Sequence, residues 1–234
     1  MSKGIGISAQ YVFSKSLDDA TSIGAEGSVV VAQNPFDIKA ERSLSSFDQT
    51  HSFTGTWMYD LPFGDGKRLL TRGPLSHVMD GWQWSGSFTI ASGLYFTPNV
   101  LGATADIARG VSGSIRANLV AGQAISLANP TTKEWFNTAA FCQTGSPDCA
   151  GPKVYSDAGR YIIEGPPEYV FNMAMSKTIT IKESRALELR LQGTNIFNTP
   201  YFSTINTTVN SMLFGQATAV SGMRRMTIVA RFRF

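Results

Sequence analysis

Few residues in this 234-residue chain have types that do chemistry, and their spacing narrows what that chemistry could be. Cys142 and Cys149 bracket Gln-Thr-Gly-Ser-Pro-Asp. Two cysteines this close in a Gly/Pro-rich stretch most simply close a small disulfide loop in an oxidising compartment, with two unpaired loop thiols as the alternative. A metal site fits less well, because the only histidines, His51 and His77, are distant in sequence. Gly64-Asp65-Gly66-Lys67-Arg68 invites a phosphate-loop reading, but the Gly-x-x-x-x-Gly-Lys-Ser/Thr spacing is missing and no helix is expected after it, so a turn is predicted. Asp18, Asp19 and Asp37 lack EF-hand spacing and read as solvated loop acids. Ser14, Ser16 and Ser92 sit in no Gly-x-Ser-x-Gly elbow, so a hydrolytic triad would need a coincidence of fold. The expectation is a protein that is not an enzyme, with no catalytic or metal-ligating residues and no cofactor.

What the chain does carry is alternation. In Met223–Phe234, Phe234, Phe232, Ala230, Ile228 and Met226 fall on one face of an extended strand, and Arg233, Arg231, Val229, Thr227 and Arg225 on the other. One face suits hydrocarbon and the other carries three arginines. Ending on an aromatic residue is unusual for a chain end, which is commonly polar and frayed. It is what a membrane barrel strand needs, with lipid on one side and a wet lumen on the other.

The same pattern recurs upstream. Residues 4–14 set Ile5, Ile7, Ala9, Tyr11 and Phe13 on one face. Residues 52–61 set Phe53, Gly55, Trp57, Tyr59 and Leu61 against Ser52, Thr54, Thr56, Met58 and Asp60. Residues 82–90 set Trp82, Trp84, Gly86, Phe88 and Ile90 against Gln83, Ser85, Ser87 and Thr89. Residues 169–181 oppose Phe171, Met173, Met175, Ile179 and Ile181 to Asn172, Ala174, Ser176, Thr178 and Thr180. Residues 185–195 oppose Leu187, Leu189 and Leu191 to Glu188, Arg190 and Gln192. Between these six strands the connections at 15–51, 93–168 and 196–222 are long, while those at 62–81 and 182–184 are shorter.

Composition agrees. The chain has 22 glycines, 15 phenylalanines and 10 prolines, which suits strands and loops better than helices. With hydrophobic residues at 43% and charged residues at 16% it is not a disordered chain. A net charge of +3 with scattered Lys and Arg gives no stripe for nucleic acid. No apolar run approaches the ~18–20 residues of a membrane helix; Val29-Val30-Val31-Ala32 is as long as any and is short. The mean hydropathy of −0.04 is uninformative for a barrel, where alternate residues cancel.

Placing the carboxyl end in the periplasm puts the shorter turns there and all three long connections outside, the asymmetry of outer-membrane barrels. Trp57, Tyr59, Trp82 and Trp84 then fall near the periplasmic strand ends, as an interfacial aromatic girdle would. The expected location is the outer membrane of a Gram-negative bacterium, with outer-membrane lipid as the first partner. The polar face (Gln83, Thr89, Asn172, Glu188, Arg190, Gln192, Arg225, Arg231 and Arg233) would line a wet interior and pair its charges across strands. Aromatic residues of the long connections (Phe36, Trp135, Phe136, Phe141, Tyr155, Tyr161, Tyr201 and Phe202) could meet a ligand or simply pack the loops.

Asn195-Ile196-Phe197-Asn198-Thr199-Pro200-Tyr201, followed by a loop and a last strand ending Arg-Phe-Arg-Phe, resembles the carboxyl-terminal end of TonB-dependent outer-membrane receptors. Tyr11-Val12-Phe13-Ser14-Lys15-Ser16, Ala40-Glu41-Arg42-Ser43, Asp60-Leu61-Pro62-Phe63-Gly64, Gly81-Trp82-Gln83, Ser92-Gly93-Leu94, Ala128-Asn129-Pro130 and the run from Trp135 to Phe141 look like the Oar-like branch of that family, whose members often carry a carboxypeptidase-regulatory-like domain. The resemblance implies a 22-stranded barrel, of which this chain supplies the last six strands. It also implies a plug domain, a TonB complex that energises uptake, and barrel-assembly machinery that recognises the last strand through Ile228, Ala230, Phe232 and Phe234. Lys3-Gly4 opening straight into a strand reads as a cut through a larger barrel, without the plug, the signal peptide or the earlier strands. The alternatives are a small self-contained outer-membrane barrel or adhesin, or a secreted soluble β-sandwich that binds carbohydrate.

Overall fold

A computed structural model describes residues 4–19, 32–34, 36–64, 67–101, 115–152, 154–182 and 185–234. Six long strands form one antiparallel sheet in chain order: β1 (Ile5–Phe13), β2 (His51–Asp60), β3 (Trp82–Ala91), β4 (Glu168–Lys182), β5 (Arg185–Thr194) and β6 (Arg225–Arg233). Their limits lie within one or two residues of those the alternation predicts. Among the described residues these strands pair only with their neighbours in this order, so β1 and β6 are the two edges of an open wall.

The register turns six separate alternations into one surface. Directly opposed residues in an antiparallel pair share a face. Ile5 opposes Tyr59, Tyr59 opposes Trp84, Trp84 opposes Met175, Met175 opposes Leu191, and Leu191 opposes Ile228. That row is apolar from edge to edge. One residue away, Gly6, Met58, Ser85, Ala174, Gln192 and Thr227 make a row on the other face. A slip of one residue at any pair would mix the two faces.

Glycines let the aromatic rings of the apolar face pack. A Cβ at Gly55 would lie 2.5 Å from Cε1 of Phe88, and one at Gly86 would strike the Trp57 indole and come within 2.5 Å of the Asn172 carbonyl oxygen. The rings fill the notches these residues leave, with Trp57 edge-on to Trp84 at 5.5 Å and Phe88 stacked on Phe171 at 6.1 Å.

At the end of the sheet where β6 finishes, residues 61–81 return β2 to β3 and contain the helix α1 (Pro74–Met79). The sequence reading expected no helix there. Pro74 starts it, its fixed φ suiting the first turn. Asp65, Gly66, Glu183 and Ser184, which belong to the two turns predicted at this end, lie outside the described residues, as does the Val29–Val31 run.

At the opposite end the three long connections fold together as a cap. The connection at 93–168 contains short local strands, as the sequence allows, and the other two also carry short hairpins with too few residues to show a period. Leu17–Asp18 pairs with Ser43–Leu44, Tyr95–Phe96 with Ile163–Glu164, Asn118–Leu119 with Phe141–Cys142, and Tyr201–Ile205 with Ala217–Ser221. The buried apolar core lies here: Ala117, Phe136, Ala140, Phe141, Ile163 and Ile205.

Candidate functional site

Two surfaces and the cap could carry function. The apolar face of the sheet is exposed although it is built of large hydrophobic side chains: Ile7 is 74% exposed, Ile228 80% and Phe232 51%. A water-soluble protein rarely leaves so broad an apolar surface open, and this one spans all six strands. Trp57, Tyr59, Trp82 and Trp84 all belong to it, in the half nearer the β6 terminus. Trp57 differs from the others, since its indole N–H is buried with no hydrogen-bond partner among the described residues. Its ring fills the space over Gly86. Ile228, Ala230, Phe232 and Phe234 are exposed on the same face of the edge strand β6.

The other face is polar. Glu188 Oε2 lies 3.8 Å from both Arg231 Nη1 and Arg233 Nη2, so the expected cross-strand pairing of charges is present. Ser87, Asn172, Arg190, Gln192 and Thr194 border a shallow groove of about 320 Å³ on this side. Asn172 Nδ2 donates to Ser87 Oγ at 3.2 Å, and its Oδ1 accepts from the Asn195 backbone N–H at 3.0 Å.

That contact begins the turn Asn195–Tyr201. Asn195 and Asn198 both have positive φ, 46° and 54°, a region asparagine tolerates better than most side chains. Buried Asn195 donates from Nδ2 to the carbonyls of Thr199 and Gly222, while its Oδ1 accepts from the Thr199 N–H at 3.0 Å. Asn198 Oδ1 accepts from the Arg224 N–H at 3.2 Å. The asparagines therefore lock the exit of β5 onto the entrance of β6.

In the cap, sequence reasoning missed the residues that matter most. Glu41, 2% exposed, lies between Arg116 and Arg160. Arg116 Nη1 is 2.7 Å from Glu41 Oε2, Arg160 Nε is 3.5 Å from the same oxygen, and Arg160 Nη2 is 2.9 Å from Asp18 Oδ1. Arg116 Nε also donates to the Ala158 carbonyl and Arg160 Nε to the Glu41 carbonyl, each at 2.7 Å. Buried Gln33 closes the arrangement, accepting from Ser156 Oγ at 2.7 Å and donating to the Ser156 carbonyl at 2.8 Å. The first and second long connections are thus fastened by desolvated, fully hydrogen-bonded charges. Asp18, expected as a solvated loop acid, is a partner of Arg160 instead. The third connection joins through backbone bonds, Trp135 N–H to the Gly215 carbonyl at 2.8 Å and Ala217 N–H to the Thr132 carbonyl at 2.9 Å. Only the folded cap brings these positions together, so no local motif announces them.

Cys142 and Cys149 are joined in the cap with their Cα atoms 5.6 Å apart. Of the loop aromatics, Phe136 and Phe141 pack edge-on in the cap core with Phe214, whereas Phe36 is 93% exposed. Trp135 borders a concavity of about 480 Å³ with Tyr95, Ile125, Leu127 and Pro167. Burial pushes the Tyr161 phenol above its ordinary value, opposed by the charge of Arg160. Burial raises Tyr201 in the same way, with Glu168 adding to the effect.

His51 lies on the apolar face with Nδ1 2.8 Å from the Tyr11 hydroxyl, and His77 is in α1 at the other end of the sheet. Among the described residues there is no cluster of His, Cys, Asp or Glu that could hold a metal ion. Also among them, no helix is long and apolar enough to cross a membrane, which says nothing about strands.

A family model described as an outer membrane beta barrel domain matches residues 1–227. No curated protein matches the chain, and no solved structure does.

Proposed function

The chain belongs to the outer membrane beta barrel domain family, and from that premise we propose that it is the carboxyl-terminal wall of a TonB-dependent, Oar-like receptor that takes up a scarce solute. Its place is the outer membrane of a Gram-negative bacterium, with the apolar face toward lipid. The observation that carries the proposal is the open six-stranded wall, apolar on one side and polar on the other, with unpaired edges at β1 and β6. Unsatisfied edge groups are not tolerated in hydrocarbon, and six strands close around too narrow an interior to be useful. In this reading further strands complete the barrel. The resemblance at Asn195–Tyr201 and the last strand supplies the number, 22, together with the plug and the TonB complex as partners.

In this reading the polar groove faces the plug, and the cap forms part of the extracellular vestibule where solute is captured. Movement of the plug then releases the solute inward. No catalytic step is assigned to the chain. The last strand presents Ile228, Ala230, Phe232 and Phe234 to the barrel-assembly machinery, and Trp82, Trp84 and Tyr59 meet the periplasmic lipid interface. The test is the native product. An antibody against the cap segment 115–152 should detect a heat-modifiable outer-membrane band several-fold heavier than 25.3 kDa, and solute uptake by those cells should stop when a proton uncoupler is added. A folded outer-membrane species at the calculated mass would replace this reading with a small barrel or adhesin, and a soluble one with a secreted carbohydrate-binding module.

A further inference from the structure

The connection between β2 and β3 is more than a turn. Lys177 interrupts the apolar column of β4, opposite Trp82 on the lipid-facing surface. An ammonium there is unfavourable in hydrocarbon unless it reaches an interface. It does so by donating to the carbonyls of Val78 and, at 3.4 Å, His77. The Trp82 indole N–H donates to the same Val78 carbonyl at 3.1 Å, and Lys177 Nζ lies 5.6 Å from the centre of the Trp82 ring. These carbonyls are at the carboxyl end of α1, where a helix leaves acceptors unsatisfied and its dipole favours a cation. Two side chains from the lipid-facing surface thus tie α1 to the outside of the barrel wall.

The helix in turn exposes apolar side chains. Leu75 and Val78, three residues apart and therefore on one helix face, are 62% and 58% exposed. Leu69 and Leu70 of the same connection are also exposed, as are the cations Arg68 and Arg72, whereas Lys67 lines a groove on the polar side with Gln83, Glu188 and Arg233. We propose that residues 68–79 form a phospholipid-binding element at the periplasmic surface of the outer membrane. Leu75 and Val78 enter the acyl boundary, and the cations meet headgroup phosphates. The occupant is lipid because the patch continues the lipid-facing surface through Trp82 and Lys177, and because apolar side chains beside cations complement a headgroup layer. The inference rests on the barrel reading given above.

The test uses the full-length protein in outer membranes of its source cell. Single cysteines at Leu75, Val78, Leu191 and Met212, with Cys142 and Cys149 left oxidised, carry nitroxide labels, and collision rates with oxygen and a polar nickel chelate are compared; Leu191, in the middle of the apolar face opposite Met175 and Ile228, is the lipid reference. Labels on Leu75→Cys and Val78→Cys should show an oxygen-to-nickel ratio several-fold above that of Met212→Cys in the cap, and nearer to that of Leu191→Cys. A lipid-like Leu191→Cys with water-exposed labels at 75 and 78 would overturn the proposal while leaving the barrel intact. Labels at 75 and 78 shielded from both reagents would overturn it in favour of a protein partner. A water-exposed Leu191→Cys label would overturn the barrel reading and this proposal together.

Discussion

The two faces of the wall differ by one residue, so moving one charge by one position is the sharpest test of them. Leu191 is 45% exposed on the apolar face, opposite Met175 and Ile228. Gln192 is on the polar face opposite Ala174 and Thr227 and lines the groove beside Arg190. An arginine near the lipid midplane of a barrel costs about 2–4 kcal/mol. At Gln192 the guanidinium stays in the wet groove, and repulsion from Arg190 costs up to about 1 kcal/mol. Leu191→Arg should therefore be worse than Gln192→Arg by roughly 1–4 kcal/mol, or about 5- to 900-fold in folding equilibrium. The assay is the urea dependence of the heat-modifiable band of the full-length protein refolded into lipid vesicles, comparing midpoints at equal slope. Equal losses, or a larger loss for Gln192→Arg, would refute the assignment of faces and the register that produces it.

Three further outcomes are expected. Glu41→Gln leaves Arg116 and Arg160 short of a counter-charge in a desolvated site, a loss of about 3–5 kcal/mol that should appear as rapid proteolysis of the cap on intact cells while the barrel band persists. Gly86→Ala should lower barrel stability by about 1–3 kcal/mol, and adding Trp57→Ala should not restore it, because the Asn172 carbonyl remains within 2.5 Å of the new methyl; urea midpoints of the single and double variants decide this. Replacing Cys142 and Cys149 by serine should cost the cap about 2–3 kcal/mol through the short loop they close, and alkylation of the untreated protein, followed by mass measurement, should find both thiols blocked.

The strands were legible because a membrane barrel imposes its solvent on every second residue. Lipid requires Ile7, Phe171, Leu191 and Ile228 to be apolar, and the lumen allows Ser8, Asn172, Gln192 and Thr227 to be polar. That constraint is local and periodic, so six strands and their limits could be read from residue order alone. The turn Asn195–Tyr201 stood out in the sequence only as a string resembling a known family, and the structure adds that Asn195 and Asn198 hold positive φ there.

The cap was not legible, because what holds it has no period. Glu41 comes from the first long connection and Arg116 and Arg160 from the second, 75 and 119 residues further on, and nothing near Glu41 in sequence says that two guanidiniums will surround it. Short hairpins such as Asn118–Leu119 with Phe141–Cys142 are likewise too brief to alternate. Lys177 reads as a flaw in the apolar column of β4 until the fold brings the end of α1 beside it. Sequence alone determined which residues face lipid, because each strand residue answers to its solvent independently of the others. Only tertiary structure decided which charges are buried together and how the connections pack, because those contacts depend on where distant segments meet.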